Sequence, residues 1–170
     1  LGLVPMSQGV LVVTEGAVYI AMGNDPSNLS IVDVDTSLGC VSAESIVDMG
    51  GYAVYASQNG LVAASAGSAE IVTSDVILAA DWTGFSPASM KGFRHQHRLI
   101  LNSDSHKFIV NPKGASDRLV SSTLDIIAGR VYTANGYLLY TPDGVNMLQF
   151  DSDINAPIPY KWASAAFINS

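Results

Sequence analysis

Tyr52-Ala53-Val54-Tyr55-Ala56, then Ser57-Gln58-Asn59-Gly60, then Leu61-Val62-Ala63-Ala64 is the stretch that decides the fold. Two short runs of residues suited to pleated, half-buried backbone flank Asn59-Gly60. Both of those residues tolerate positive φ, the condition for a tight hairpin turn. The same arrangement recurs on either side. Val10-Leu11-Val12-Val13 and Ala17-Val18-Tyr19-Ile20-Ala21 flank Thr14-Glu15-Gly16. Arg98-Leu99-Ile100-Leu101 and His106-Lys107-Phe108-Ile109-Val110 flank Asn102-Ser103-Asp104-Ser105. A fourth hairpin is expected from Arg130-Val131-Tyr132-Thr133 and Tyr137-Leu138-Leu139-Tyr140, continuing through Pro142-Asp143-Gly144 into residues 145–150.

The turns at Gly16, Gly60, Ser105 and Gly144 stand 44, 45 and 39 residues apart. That is close to the roughly 40–45 residues of a four-stranded propeller blade. Helical periodicity is almost absent, so the expected class is all-β, in propeller-like four-stranded blades. The chain holds about four blades' worth of sequence, a partial propeller, and a β-sandwich is the alternative. Runs such as Val10 to Val13 are apolar on both faces, which requires each sheet to be covered on both sides. Residues 72–90 are less regular. Asp75 to Asp81 has room for one helical turn, and Asp81-Trp82 to Pro87 reads as loop, with Trp82 and Phe85 either an aromatic plug beneath it or contacts for a partner.

A chain of 170 residues accommodates one core of ordinary size. Its residues are 48% hydrophobic and 14% charged, against roughly 25% charged in a typical soluble domain, which points to surface buried in an assembly. The net charge of −7 repels a phosphate backbone and argues against a dedicated nucleic-acid binder. Cys40 is the single cysteine. It excludes an intrachain disulfide and a cysteine-based zinc site, and reads as a small buried apolar side chain. No stretch approaches the roughly 18 apolar residues of a membrane helix, and no secretion-signal pattern opens the chain. The absence of an initial Met and the extended character of Phe167-Ile168-Asn169-Ser170 are read as marks of a segment of a longer polypeptide.

Few residues offer chemistry. His95 and His97 lie two apart on a predicted strand and share a face, as a metal site requires, but no carboxylate or cysteine completes a set. Lys91, Arg94, His95, His97 and Arg98 form the one basic cluster. Arg94 and Arg98 are placed opposite the histidines, and the cluster is either a partner interface or a solvated strand edge. Asp151, Asp153 and Asn155 open like a calcium loop, yet Ala156 occupies the glycine position and Trp162 the bidentate glutamate position. Asp33 and Asp35 alternate on a strand with nothing to pair as acid and base. Nucleophile-elbow and phosphate-cradling patterns are absent. The expectation is no enzyme, no cofactor and no metal.

Gly39-Cys40-Val41-Ser42-Ala43-Glu44-Ser45-Ile46-Val47-Asp48-Met49-Gly50-Gly51, followed by residues 54–62 and preceded by the hairpin of residues 14–26, resembles the blade core of propeller-like virion structural proteins of tailed bacteriophages. Tyr160-Lys161-Trp162-Ala163-Ser164-Ala165-Ala166-Phe167 is similar to the strand that leaves the propeller in those proteins, with Ala165 where Lys is usual. The resemblance covers most of the chain and is most specific over residues 10–62 and 129–167. It is a pattern of strand cores and carries over no active site.

It implies a propeller-like domain over residues 1–160 and an exit strand over 161–170 leading to a further domain. It also implies a tail hub or nozzle protein of the packaged-DNA-stabilising type, located in the virion tail. Its expected partners are copies of itself in a ring and neighbouring tail or portal-adaptor proteins, with packaged DNA as channel contents and no membrane insertion. The alternative is a glycan- or host-surface-binding module of a tail fibre, with Trp82, Tyr132, Tyr137 or Tyr140 stacking on sugars. A propeller-based polysaccharide depolymerase stands third, without a paired-acid signature.

Overall fold

The structure is a computed structural model, and it describes residues 1–23, 25–114, 119–131 and 138–150. These residues form four antiparallel sheets, each a simple meander in chain order. The first contains β1 (Gly2–Met6), β2 (Gly9–Val13), β3 (Val18–Met22) and β4 (Ser30–Asp35). The second contains β5 (Val47–Asp48), β6 (Ala53–Ala56), β7 (Leu61–Ala64) and β8 (Ala69–Ile71). The third contains β9 (Lys91–His95), β10 (Arg98–Asn102), β11 (Lys107–Val110) and β12 (Leu119–Ser121). The fourth contains β13 (Ala128–Val131), β14 (Leu138–Thr141) and β15 (Leu148–Gln149). Gly16, Gly60, Ser105 and Gly144 all fall between the second and third strands of their sheets, so the turn spacing in the sequence is the spacing of the sheets. The all-β expectation is met, in four sheets rather than the two of a sandwich.

Each sheet packs on the next through its own core. Leu11, Val13 and Val18 of the first sheet meet Tyr55 and Val62 of the second. The other face of the second sheet, with Val54 and Leu61, meets Leu99, Leu101 and Phe108 of the third. Ile100 and Ile109, on the reverse of the third, meet Leu138, Tyr140 and Phe150 at the fourth. Strand β6 shows the consequence of period-two alternation between two cores. Ala53 and Tyr55 enter one core, Val54 and Ala56 the other, and all four are buried. Burying each large aliphatic side chain stabilises the fold by about 1.5–3 kcal/mol. Strand β2 differs from its expected double coverage, because Val10 is exposed and Val12 half-buried while Leu11 and Val13 are fully enclosed.

In the first three sheets a hydroxyl locks the turn between the second and third strands. The Thr14 Oγ1 hydroxyl donates to the Ala17 carbonyl (2.8 Å), Ser57 Oγ to that of Gly60 (2.8 Å) and Ser103 Oγ to that of His106 (3.0 Å). The backbone amide of the same Ser or Thr bonds the same carbonyl in each case. In the first two sheets the following segment then grips the finished turn. The Cys40 amide donates to the Thr14 carbonyl at 2.8 Å, an approach that only Gly39 permits, since a Cβ there would overlap the Glu15 carbonyl. In the second sheet the grip is a side chain, the Trp82 indole N–H on the Ser57 carbonyl at 2.9 Å.

The single α-helix among the described residues is α1 (Ala79–Trp82), followed by 3-10 turns over Thr83–Phe85 and Pro87–Ser89. The expected helical turn is therefore present but starts later than Asp75. Before it, the Thr73 carbonyl accepts from the backbone amides of Val76 and Ile77. The turn Met49-Gly50-Gly51-Tyr52 joins β5 to β6 with φ of +83° and +94° at its two glycines, the requirement of a two-residue hairpin loop. The sequence expectations on Asp151, Asp153 and Asn155 and on the exit strand fall outside the described residues.

Replacing Trp82 by Ala removes a fully buried indole and orphans the Ser57 carbonyl, so a loss of about 3–5 kcal/mol is expected in urea denaturation. Asp143 supplies the pH dependence of the last turn. Its carboxylate accepts from the backbone amides of Asn146 and Val145 and from the Asn146 side chain, which lowers its pKa from 3.8 to about 2. The stabilisation is fully present above the unfolded value near 3.8 and is lost as pH falls through about 2. Carboxyl-carbon NMR titration should show this aspartate still ionised at pH 3.

Candidate functional site

The basic cluster sits on the hairpin of β9 and β10, and its geometry differs from the sequence expectation. Gln96, in the left-handed region at φ +54°, and His97 form a two-residue turn, so that Arg98 pairs with His95 and Leu99 with Arg94. His95 and His97 therefore do not lie along one strand, and Arg98 faces with His95 rather than with Arg94. His95 is buried, with its ring edge-on to Phe150 at 4.7 Å, while His97 is exposed. No group of three or more metal-ligating side chains exists among the described residues.

Lys91 and Arg94 are engaged within the chain. Lys91 Nζ lies 3.0 Å from a Glu44 carboxylate oxygen. The Arg94 guanidinium donates to the Gln96 carbonyl at 2.9 Å and to the Asp48 carbonyl at 3.2 Å. Arg94 thereby ties the β9–β10 hairpin to the Gly50-Gly51 turn of the second sheet. A Cβ on Gly50 would stand 3.3 Å from its guanidinium nitrogen.

That turn forms one wall of an open cleft of about 290 Å³ between the second sheet and the loop after β11. Tyr52, Ser65, Ser68, Glu70 and Lys113 supply its functional groups. The Lys113 ammonium lies over the Tyr52 ring, 4.4 Å from its centre, a cation–π contact. Burial pushes the Tyr52 phenol above its ordinary range, and the Arg94 guanidinium opposes that shift. An aromatic face, a cation, a carboxylate and two hydroxyls make a cleft that can hold a small polar molecule, with no nucleophile paired to a base. The sequence carries no signal for it, because Tyr52 and Lys113 come from different sheets and meet only through sheet stacking.

The aromatic pair occupies the core side of its loop. Trp82 is buried and hydrogen-bonded within the chain, which removes it from the surface contacts considered for a partner or a sugar. Phe85 is half-buried, edge-on to Trp82 at 6.2 Å, to Phe108 at 5.1 Å and to His106 at 4.7 Å. Together they hold residues 79–89 against the second and third sheets. Tyr140 is likewise buried, and Tyr132 and Tyr137 lie outside the described residues. Cys40 is buried, donates its thiol to the Ser42 carbonyl at 3.0 Å, and has its pKa raised by burial. No protein-family model matches the chain, and no curated protein matches it.

Arg94→Ala removes the positive charge that opposes the burial effect on Tyr52, so the Tyr52 phenol is expected to ionise at higher pH in the variant. Side-chain NMR titration of Tyr52 in both proteins measures the shift, and an unchanged or lower value contradicts the geometry described.

Proposed function

We propose that the chain is a structural module of propeller-like blades in a tailed-phage virion, working in the tail hub or nozzle as part of a ring around the DNA channel and helping to retain packaged DNA. The observation that carries this reading is the repetition of one unit. A four-stranded meander with a hydroxyl-locked turn occurs three times in succession, the second and third each packed on the one before, and a radial propeller is an arrangement that covers such sheets on both faces. The resemblance of residues 14–26 and 39–62 to blade cores of tail proteins supplies the biological setting.

The charge balance supports the same reading. A net charge of −7 suits a channel wall along which DNA slides without sticking. Low overall charge suits a protein whose surface is largely given to subunit contacts.

Mass spectrometry of purified particles should find the protein at a stoichiometric multiple of the portal complex. Cryo-electron microscopy of those particles should place it as a ring on the tail axis, with sheets arranged radially. A protein absent from purified particles, or one that turns over a host polysaccharide, overturns the proposal.

A further inference from the structure

The hydroxyl-locked turns of the first three sheets are built alike but differ in one bond. They are Thr14-Glu15-Gly16-Ala17, Ser57-Gln58-Asn59-Gly60 and Ser103-Asp104-Ser105-His106. In the first and third, the amide of the last residue donates to the hydroxyl oxygen of the first, Ala17 to Thr14 Oγ1 at 3.0 Å and His106 to Ser103 Oγ at 3.0 Å. In the second, Ser57 Oγ accepts from the Asn59 amide instead, at 3.3 Å, and the Ser57 carbonyl turns to the Trp82 indole at 2.9 Å. The Gly60 amide is left with no hydrogen bond among the described residues. Gly60 is buried, and a backbone amide without a partner is rare at such positions.

That amide follows Asn59, an exposed residue whose side chain makes no hydrogen bond among the described residues. The amide nitrogen after an asparagine can reach the side-chain Cγ and close a cyclic imide. Two things oppose the reaction: a hydrogen bond that holds the amide, and a Cβ on the following residue that crowds the approach. Neither is present at Gly60.

The fold itself enforces the second condition. A Cβ at residue 60 would overlap the Ile71 side chain and stand 2.9 Å from Thr73 Oγ1, the oxygen that accepts from the Leu61 amide at 3.0 Å. The packing of Ile71 and Thr73 against the turn thus requires glycine directly after Asn59.

We propose that Asn59 is a site of spontaneous backbone modification in the folded protein. The Gly60 amide nitrogen gives up its proton to hydroxide and bonds to Asn59 Cγ. The Cγ–Nδ2 bond breaks, and the side-chain nitrogen takes up a proton and leaves as ammonia. Water then adds to one of the two imide carbonyls and opens the ring. Opening between Cγ and the Gly60 nitrogen gives aspartate in an ordinary chain. Opening between the residue-59 carbonyl carbon and that nitrogen gives isoaspartate, with the main chain running through Cβ. One water enters, one ammonia leaves, and nothing is oxidised or reduced. Either product adds one negative charge to a chain whose net charge is −7.

Isoaspartate also changes the turn. The Ser57 amide and hydroxyl both donate to the Gly60 carbonyl, at 2.9 and 2.8 Å, and the extra main-chain atom lies inside the loop that these bonds close. The lengthened loop carries the carbonyl away from both donors, so the lock on the second sheet's turn opens.

Peptide mapping by mass spectrometry, on folded protein held in mildly alkaline buffer, tests the proposal. The peptide containing Asn59 should lose its amide ahead of those containing Asn28, Asn102 and Asn111, and should separate into aspartyl and isoaspartyl forms. Its rate should stay constant as urea is raised short of the unfolding transition. Asn59→Gln, at an exposed position, should melt with the parent and keep its amide, because the longer side chain closes a larger ring less readily. The isoaspartyl protein, isolated by ion exchange, should melt below the parent. An Asn59 that stays intact in the folded protein while the urea-unfolded chain converts it overturns the proposal. So does a rate that climbs with urea from the outset, which places the reaction in opened molecules. An isoaspartyl form that melts with the parent overturns the opening of the lock.

Discussion

Everything in this molecule follows from the need to take both faces of a β-sheet out of water. A meander of strands two to six residues long cannot bury its apolar side chains by itself, and a lone small sheet is marginal in water. Here Val54 and Tyr55, neighbours on one strand, enter different cores. The second sheet therefore exists as an ordered object only between its neighbours. The third is held in the same way, by Leu99 and Leu101 on one side and Ile100 on the other.

That constraint explains what is conserved in shape from sheet to sheet and what is free to vary. Cross-strand pairs keep their register while changing identity, from Ala53 opposite Ala64 to Leu99 opposite Val110. Small residues on one sheet are compensated by large ones elsewhere in the same core, as interior packing density requires. The connecting segments vary more. One crosses through Cys40 and a buried hydroxyl network in which Ser45 Oγ accepts from the Ala56 amide at 2.9 Å. The next uses a short helix and an indole.

Much of the fold is legible in the sequence because its determinants are local. Asn59-Gly60 and the Gly16 turn announce hairpins through backbone preference, and their spacing gives the sheet period. The edge strands are less legible, β5, β8 and β12 because they are only two or three residues long and β1 because it contains Pro5, so their pairing is decided by neighbours. The reading of the histidines fails for a physical reason. The chain reverses at Gln96, whose positive φ is uncommon for a residue with a side chain, and one reversal exchanges the faces of every residue after it. The cleft is invisible from sequence because stacking alone assembles it. The sequence leaves Trp82 and Phe85 open between plug and contact, because the depth of the indole and its bond to the Ser57 carbonyl depend on a turn 25 residues away.

The grips on the turns bear on how the molecule is made. Thr14 is held by an amide 26 residues later, and Ser57 by an indole 25 residues later. The turns of the first two sheets are thus sealed by polypeptide that emerges after them, whereas the third turn settles onto residues made before it, the Asp104 amide donating to Ser89 Oγ and Ser105 Oγ to the Gly84 carbonyl. A ribosome delivering residues in order delivers these two clasps just after the hairpins they close, and lays down the seat of the third turn before the turn itself. The contacts that fix the turns thus become available in the order of synthesis, each within about 26 residues of the turn it fixes.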